Sequence, residues 1–469
     1  MVAAGCVVAL WSAPAQAQPL GCGAVVTQDI TLDADITGCT GAGLIVGAAG
    51  VTIDLGGHVI SGTSISGTNP AQVGIDDSAG HDAVVIRNGV VRDFGGAAVR
   101  LTAVDGATVS GLDVSFGQFG IHLDGGSGNR LVGNTVADAP VGIAVFGTAG
   151  RSRNNVVSGN TVSSANTAGI ALRYGEITGT RIEDNDVSVT FGVDRWGAAI
   201  AVGARYTTDE GMISGTLVRS NVMHELYANG GVFVSDTAAD TRVELNRVDN
   251  ALGLPPYEID GDRTLVRKNS VSNTEFPGFG NYGIQVDENA ERTVVEANSI
   301  DRAGSISIDD SGQHTVVRGN RIEGLPLSSG TGTGFNDGII VREAARDGRV
   351  EGNIVRRLAA IGGLEPGAGI EILGDHITVT ANAVSEIDTS DGIRVDSAAD
   401  DVTVTGNVVR AAGDDGIDLQ SPAITVTANL AVDNADHGIE AVPGVRDGGA
   451  NYAFGNGAAA QCVGVRCRP

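Results

Sequence analysis

The stretch VTVTGNVV (402–409) alternates β-branched residues with threonines, then steps through Gly406-Asn407 into a second β-branched pair. Alternation with a period of two is strand behaviour, and the Gly-Asn step interrupts it as a turn would. The same signature, a small residue, Asn and an apolar position, recurs at Asn134, Asn160, Asn185, Asn221, Asn246, Asn269, Asn298, Asn320, Asn353, Asn382, Asn407 and Asn429. Successive asparagines lie 22 to 36 residues apart. A Gly-Ile-x-apolar pattern alternates with it, as in GIHL at 120, GIAV at 142, GIAL at 169, GIQV at 283, GIEI at 369, GIRV at 392 and GIDL at 416.

Repeats of this length belong to leucine-rich repeats or to β-helices. Helix-period stretches are missing between the strand signals, and so is the LxxLxLxxN pattern. Each repeat is therefore two or three short parallel strands joined by turns, and the chain is an all-β, single-stranded right-handed parallel β-helix of about fifteen coils. The recurrent asparagines read as an internal ladder of amides bonded from coil to coil. That role is structural, and no chemistry is assigned to them.

The remaining composition agrees. Hydrophobic residues make up 42% of the 469 residues but aromatics only 4%. Such a chain buries much aliphatic surface without several conventional cores, and disorder is excluded. The formal net charge of −26 opposes nucleic acid and anionic membranes. It also opposes acidic polysaccharides unless Ca²⁺ or local arginines reverse the sign. The apolar run ending Ala15-Gln16-Ala17 reads as a secretory signal peptide cleaved before Gln18. The expected organisation is thus a signal peptide (1–17), an N-terminal cap (18–50), the β-helix (51–445) and a C-terminal cap (446–469). Later segments lack 18 unbroken apolar residues, so a soluble monomer, secreted or periplasmic, is expected. Cys22, Cys39, Cys462 and Cys467 lie only at the two ends. Local pairs Cys22–Cys39 and Cys462–Cys467 would pin the exposed ends of a solenoid in an oxidising compartment.

The opening VTIDLGGHVISG (51–62), followed by GNxV and DGI units, resembles the β-helix repeat family shared by pectate-lyase-like proteins and NosD-type periplasmic proteins. The likeness runs from about residue 20 to 460 and implies the fold, while one fold hosts many functions. Three methionines and seven scattered histidines form no copper motif of the kind a NosD-type role suggests.

Outward positions of the Gly-Ile strands stack into columns about 4.8 Å per coil. One column is expected to hold Gln285, Ser307, Ile340, Glu371, Arg394, Asp418 and Glu440, and the next Asp287, Asp309, Arg342, Leu373, Asp396 and Gln420. Charge is densest in three consecutive C-terminal coils. There, Thr389-Ser390-Asp391-Gly392, Gly413-Asp414-Asp415 and Asp436-His437-Gly438 resemble the successive motifs of polygalacturonase-type glycoside hydrolases. The resemblance implies Asp414 as general acid, Asp391 and Asp415 holding the attacking water, and His437 as support. An acid and base roughly 6.5–9.5 Å apart would give inversion. Thr389 and Asp436 depart from that family's pattern, and its Arg-x-Lys substrate clamp has no counterpart. The opposing reading is that Asp before Gly-Ile is an ordinary turn residue, as Asp337 is in Asn336-Asp337-Gly338.

A second locus lies mid-chain, where ten of the seventeen aromatics after residue 17 fall between Tyr174 and Tyr282. Arg173, Tyr174, Trp196, Tyr206, Tyr227 and Tyr282, with Arg394 farther on, are the expected sugar-contacting residues, with Arg195, Arg205, His224, Tyr257 and Lys268 nearby. These residues either line a cleft or pack long loops onto the rod. Neither a Ca²⁺-binding nonapeptide nor an EF-hand loop is present, so no cofactor is required by the sequence, although acidic ladders leave Ca²⁺ open. The leading function is a secreted enzyme cleaving an extended polysaccharide, by hydrolysis or β-elimination. The alternatives are a non-catalytic glycan-binding, surface or envelope β-helix, or a NosD-type periplasmic protein.

Overall fold

The computed structural model describes residues 20–64, 69–189, 197–203, 211–227, 230–274, 282–303, 306–324, 337–358 and 367–468. The expected signal peptide (1–17), Trp196 and Tyr206 lie outside these residues.

Among the described residues every strand pairing is parallel and no helix occurs. The chain winds into a right-handed parallel solenoid of about fifteen turns. In the C-terminal half each turn has three faces. Face one runs through Ile370–Ile372, Ile393–Val395, Ile417–Leu419 and Ile439–Ala441 in unbroken register. Face two runs through Thr378–Thr380, Val402–Thr405 and Ile424–Thr427. Face three runs through Ala383–Ile387, Val408–Ala412 and Leu430–Val432.

The stretch 402–409 spans the corner between faces two and three. Val402 and Val404 are buried while Thr403 and Thr405 are half-exposed. Gly406 then takes a φ of 67°, and Asn407 turns inward with no exposed surface. A left-handed residue at this corner suits glycine. Leu245 and Lys268 adopt it too, with φ of 57° and 54°. The stack imposes the geometry even where the side chain opposes it.

The asparagine ladder runs unbroken from Asn134 to Asn451, one member beyond the sequence expectation. In a typical step, Asn298 donates its backbone N–H to Asn320 Oδ1 at 2.9 Å and its amide to the same oxygen at 3.0 Å. The amide also donates to Val266 O at 2.9 Å. Buried polar groups at the tightest corner of each coil are thereby satisfied.

Inside the coils, aliphatic residues form one continuous core from Val26 to Ala453. Both expected disulfides form, Cys22–Cys39 and Cys462–Cys467. Cys462 extends face one beside Ile439, and Cys467 pairs with Asn451, so the second bridge links two faces of the last coil. Strands of both expected caps are thus rungs of the same stack.

Candidate functional site

Each Gly-Ile strand presents two outward positions, one two residues before the isoleucine and one directly after it. Ile393 and Val395 are fully buried, and a Cβ at Gly392 would sit 2.1 Å from Val409 Cγ1, so the glycine faces the core and nothing larger fits. Asp391 and Arg394 are left facing out. The register stacks Glu258, Gln285, Asp309, Ile340, Glu371, Arg394, Asp418 and Glu440 into one outward column. This corrects the expected columns. Asp309, not Ser307, stands beside Gln285, because Ser307 takes the glycine-like position against Gly283. The sequence SISIDD offers two isoleucines as anchors, and the second is the one in register.

The C-terminal end of face one collects carboxyls. Asp391, Asp415 and His437 occupy the position before Gly-Ile on three successive rungs. Asp391 Oδ1 accepts the N–H of Asp415 at 3.1 Å, and Asp415 Oδ1 accepts the N–H of His437 at 2.7 Å. Asp337 does the same for Ala368 at 2.8 Å, so part of this motif is a structural link between coils. Asp414, Asp418 and Glu440 complete the group, with Asp414 exposed and Asp391 and Asp415 only 6% and 5% exposed.

Among the described residues no arginine or lysine forms a salt bridge with these five carboxyls, and Asp415 has His437 3.3 Å away. Arg394, one rung before Asp418, is bridged to Glu371, and its charge tempers Asp418 and Asp391 without a salt bridge to either. Elsewhere the chain pairs its acids freely: Glu323 holds Arg356 and Arg357, both at 2.7 Å. The crowding shows in proton affinity. Burial, then the charge of Asp418, pushes Asp391 up to about 7. Burial and Glu440 push Asp415 to about 7 as well. Asp414 and Asp418 are raised in the same direction, first by burial and then by their acidic neighbours. Oxygens of Asp414 and Asp415 lie within 4.8 Å, closer than the separation expected for an acid and a water-activating base. Asp415, His437 and Glu440 each offer one ligand atom within 4.8 Å of the others, a donor set that could hold a divalent cation.

Arg394, expected to bind substrate, is committed to Glu371, its Nε donating to Oε1 at 2.9 Å. One rung pair earlier, Arg342 grips Asp309 at 2.9 and 2.8 Å.

The mid-chain residues do not converge. Tyr257 is fully buried in the core, its hydroxyl donating to Asn246 O at 3.1 Å, and so is a packing residue. His224 and Tyr227 belong to the strand Val222–Tyr227 on face three, where His224 contacts Asp186 at 2.8 Å, and Lys268 sits at a corner turn. Tyr282 lies on face one but four rungs from Asp391, beside Asp309 and Arg342, with burial raising its hydroxyl above the ordinary range. Arg173 and Tyr174 lie on the same face nearer the N-terminus. Their ring partners were not singled out from the sequence: Phe146 meets Tyr174 edge-on at 5.1 Å and His122 at 4.9 Å, while Phe119 stacks on His122 at 4.6 Å. In FGIHLD the signal was there, since Phe119 and His122 flank Gly120-Ile121 as Asp391 and Arg394 flank Gly392-Ile393; Phe146 lies one alternation further on, beside Asp124 in the register.

The family described as right handed beta helix region matches residues 34–248 and 328–463, and the chain belongs to it. No curated protein matches. Among solved structures, a DFA-IIIase from Arthrobacter chlorophenolicus A6 in complex with DFA-III is 12% identical, with a TM-score of 0.41 over 70% of this chain and 84% of that one. A tailspike protein mutant of E. coli bacteriophage HK620 in complex with pentasaccharide is 12% identical, with a TM-score of 0.45 over 91% and 71% of the two chains. No described helix is long and apolar enough to cross a membrane.

Proposed function

We propose that this member of the right-handed β-helix family hydrolyses glycosidic bonds within an extended, neutral or weakly acidic polysaccharide, outside the cytoplasm, at the carboxyl group of face one. The observation that carries this reading is the set of five carboxyls, Asp391, Asp414, Asp415, Asp418 and Glu440, gathered without a salt bridge to arginine or lysine, the adjacent Arg394 being bridged to Glu371. Such crowding opposes folding, and strongly displaced carboxyls on an accessible face are a mark of acid–base sites.

Glycoside hydrolysis needs one carboxyl that keeps its proton and one that is ionised. Asp391 and Asp415, raised to about 7, hold a proton near neutrality and supply the acid. Asp414, exposed at the rim with an oxygen within 4.8 Å of one on Asp415, is the ionised partner, and that close spacing suits a nucleophile attacking the sugar better than a base holding water between the two carboxyls. This reverses the role that the polygalacturonase likeness implies for Asp414, because the general acid belongs to the better proton holder. His437 hydrogen-bonds Asp415 through its backbone and orients that carboxyl. The absence of an Arg-x-Lys clamp and the net charge of −26 point away from a polyanionic substrate.

A non-catalytic reading draws on Asp337, which makes the same backbone link and is likewise pushed up by burial and then by Glu371, in a setting where Arg394 and Arg342 are close. On that reading Asp391 and Asp415 are coil-to-coil links and nothing more. Digestion of a polysaccharide panel separates the two. New reducing ends without absorbance near 235 nm mean hydrolysis, rising absorbance means β-elimination, and neither signal leaves a binding protein.

A further inference from the structure

Face one carries a second polar anomaly far from the carboxyls. The rings of Phe119, His122, Phe146 and Tyr174 form one half-buried strip across three consecutive coils. The planes of Phe119 and His122 are nearly parallel, 17° apart, and Phe146 stands perpendicular to Phe119 at 5.8 Å. Phe146 pairs with Arg173, and the register slips directly after it. Tyr174 is the extra residue, with φ of 57°, and the bulge turns its ring back onto Phe146.

Two nitrogens in this strip lack partners. His122 Nε2 and Arg173 Nε are shielded from solvent and make no hydrogen bond. Neighbouring groups are already engaged: Asp124 accepts the N–H groups of Thr148 and Ala149, and Arg100 donates to Pro70 O. Burial holds the His122 imidazole down to about 4, so it is neutral in ordinary conditions. Buried polar atoms are usually paired with protein, ordered water or a ligand, and these two differ from the unpaired threonine hydroxyls at the coil corners in lying beside a half-buried aromatic strip.

We propose that Phe119, His122, Phe146, Arg173 and Tyr174 form a stacking subsite for a neutral sugar ring of a glycan chain lying along face one. A pyranose offers apolar C–H faces for the aromatic rings and edge hydroxyls for the two unpaired nitrogens. A purely apolar occupant would leave those nitrogens unpaired, and a net charge of −26 disfavours an anionic one. The neutral imidazole suits a hydroxyl, with one ring nitrogen giving or accepting a proton. Sites of this kind combine aromatic walls with a few placed polar groups. Eleven rungs separate His122 from Asp418, about 50 Å, so the subsite would grip the polymer well away from the bond being cut. That the occupant is a polysaccharide rests on the preceding functional reading.

Calorimetric titration of the full chain with neutral polysaccharides (xylan, galactomannan, inulin and dextran) tests it, run beside the reducing-end assay. Phe146→Ala and Tyr174→Ala should each weaken binding at least tenfold with the melting temperature unchanged. Phe146→Leu keeps apolar volume and removes the ring face, so it should bind as poorly as the alanine variant even if alanine unsettles the coil. Retained affinity in Phe146→Leu, or no binding of any of the four polymers by the unmodified chain, overturns the subsite. Ring-dependent binding without new reducing ends would leave the subsite standing and sink the hydrolase reading. Hydrolysis indifferent to these rings would do the reverse.

Discussion

One oxygen of Asp415 serves His437 twice: Oδ1 accepts the histidine's backbone N–H at 2.7 Å, and the imidazole Nδ1 lies 3.3 Å from it. A carboxyl fixed by a neighbouring coil and sharing a proton with the Glu440 carboxyl is held in place by its surroundings. Asp415→Asn should therefore preserve the melting temperature, since the amide oxygen still accepts the backbone bond. Turnover should fall 10²–10⁴-fold, the usual worth of a positioned acid. Asp414→Asn should fall comparably through loss of the nucleophile. Full activity in both variants would move the chemistry off this face.

The direction of the pH profile follows from the raised carboxyls. Asp391 and Asp415 lose their protons near 7, so kcat should decline as pH rises through about 7. A rate that instead rises through 7 to a plateau would assign these residues to the base role.

Calcium discriminates further. A divalent cation held by Asp415, His437 and Glu440 stabilises the ionised carboxylates and removes the proton the acid must deliver. Millimolar Ca²⁺ should slow hydrolysis, and chelation should not impair it. A chelator-sensitive activity restored by Ca²⁺ would favour lyase chemistry at this site.

The fold was legible because its determinants are local and repeated. Gly406-Asn407 carries the corner, Ile393 and Val395 the inward alternation, and the terminal cysteines the closure. The site was legible only in part. Asp391, Asp415 and His437 share a column because each precedes the same Gly-Ile step, which spacing alone reveals. Whether a residue in that column is a site or a link depends on its neighbours across the rungs, and Asp337 shows both motifs look alike in one dimension. Density of aromatics misled for a related reason. Tyr257 and Tyr174 share one aromatic-rich window, yet alternation sends one into the core and a bulge sends the other outward. Phe119, His122 and Phe146 lay outside that window, although the positions of Phe119 and His122 beside Gly-Ile marked them as outward.

The ladder predicts where stability concentrates. Asn298→Ala removes the acceptor for both the backbone N–H and the amide of Asn269, and the donor to Val266 O. Each buried group left unpaired costs about 1–3 kcal/mol, so a loss of about 3 kcal/mol or more is expected in denaturant titrations. Asn298→Leu keeps the volume and removes the same bonds, so it should lose about as much as alanine. A leucine variant that held its stability would mean that packing, not hydrogen bonding, gives the ladder its value.

The last prediction concerns Asp310, which points into the solenoid between Val286 and Val341 and is 2% exposed. Its Oδ1 accepts the N–H of Gly312 at 3.0 Å, capping the turn that leaves face one. Burial raises it to about 7, against about 3.9 for an unfolded aspartate. Below pH 4 both states hold the proton and the residue is neutral in its effect. Between 4 and 7 the unfolded chain releases the proton while the folded chain retains it, so stability drains away as pH rises. Above 7 both are ionised and the penalty stays constant, at most about 4 kcal/mol for a shift of this size. Asp310→Asn keeps the accepting oxygen and cannot ionise. Its melting temperature should match the parent at pH 4 and exceed it increasingly up to pH 7–8. A gap that does not depend on pH would show that Asp310 is no proton-linked liability, and that the turn tolerates a charge the core should not.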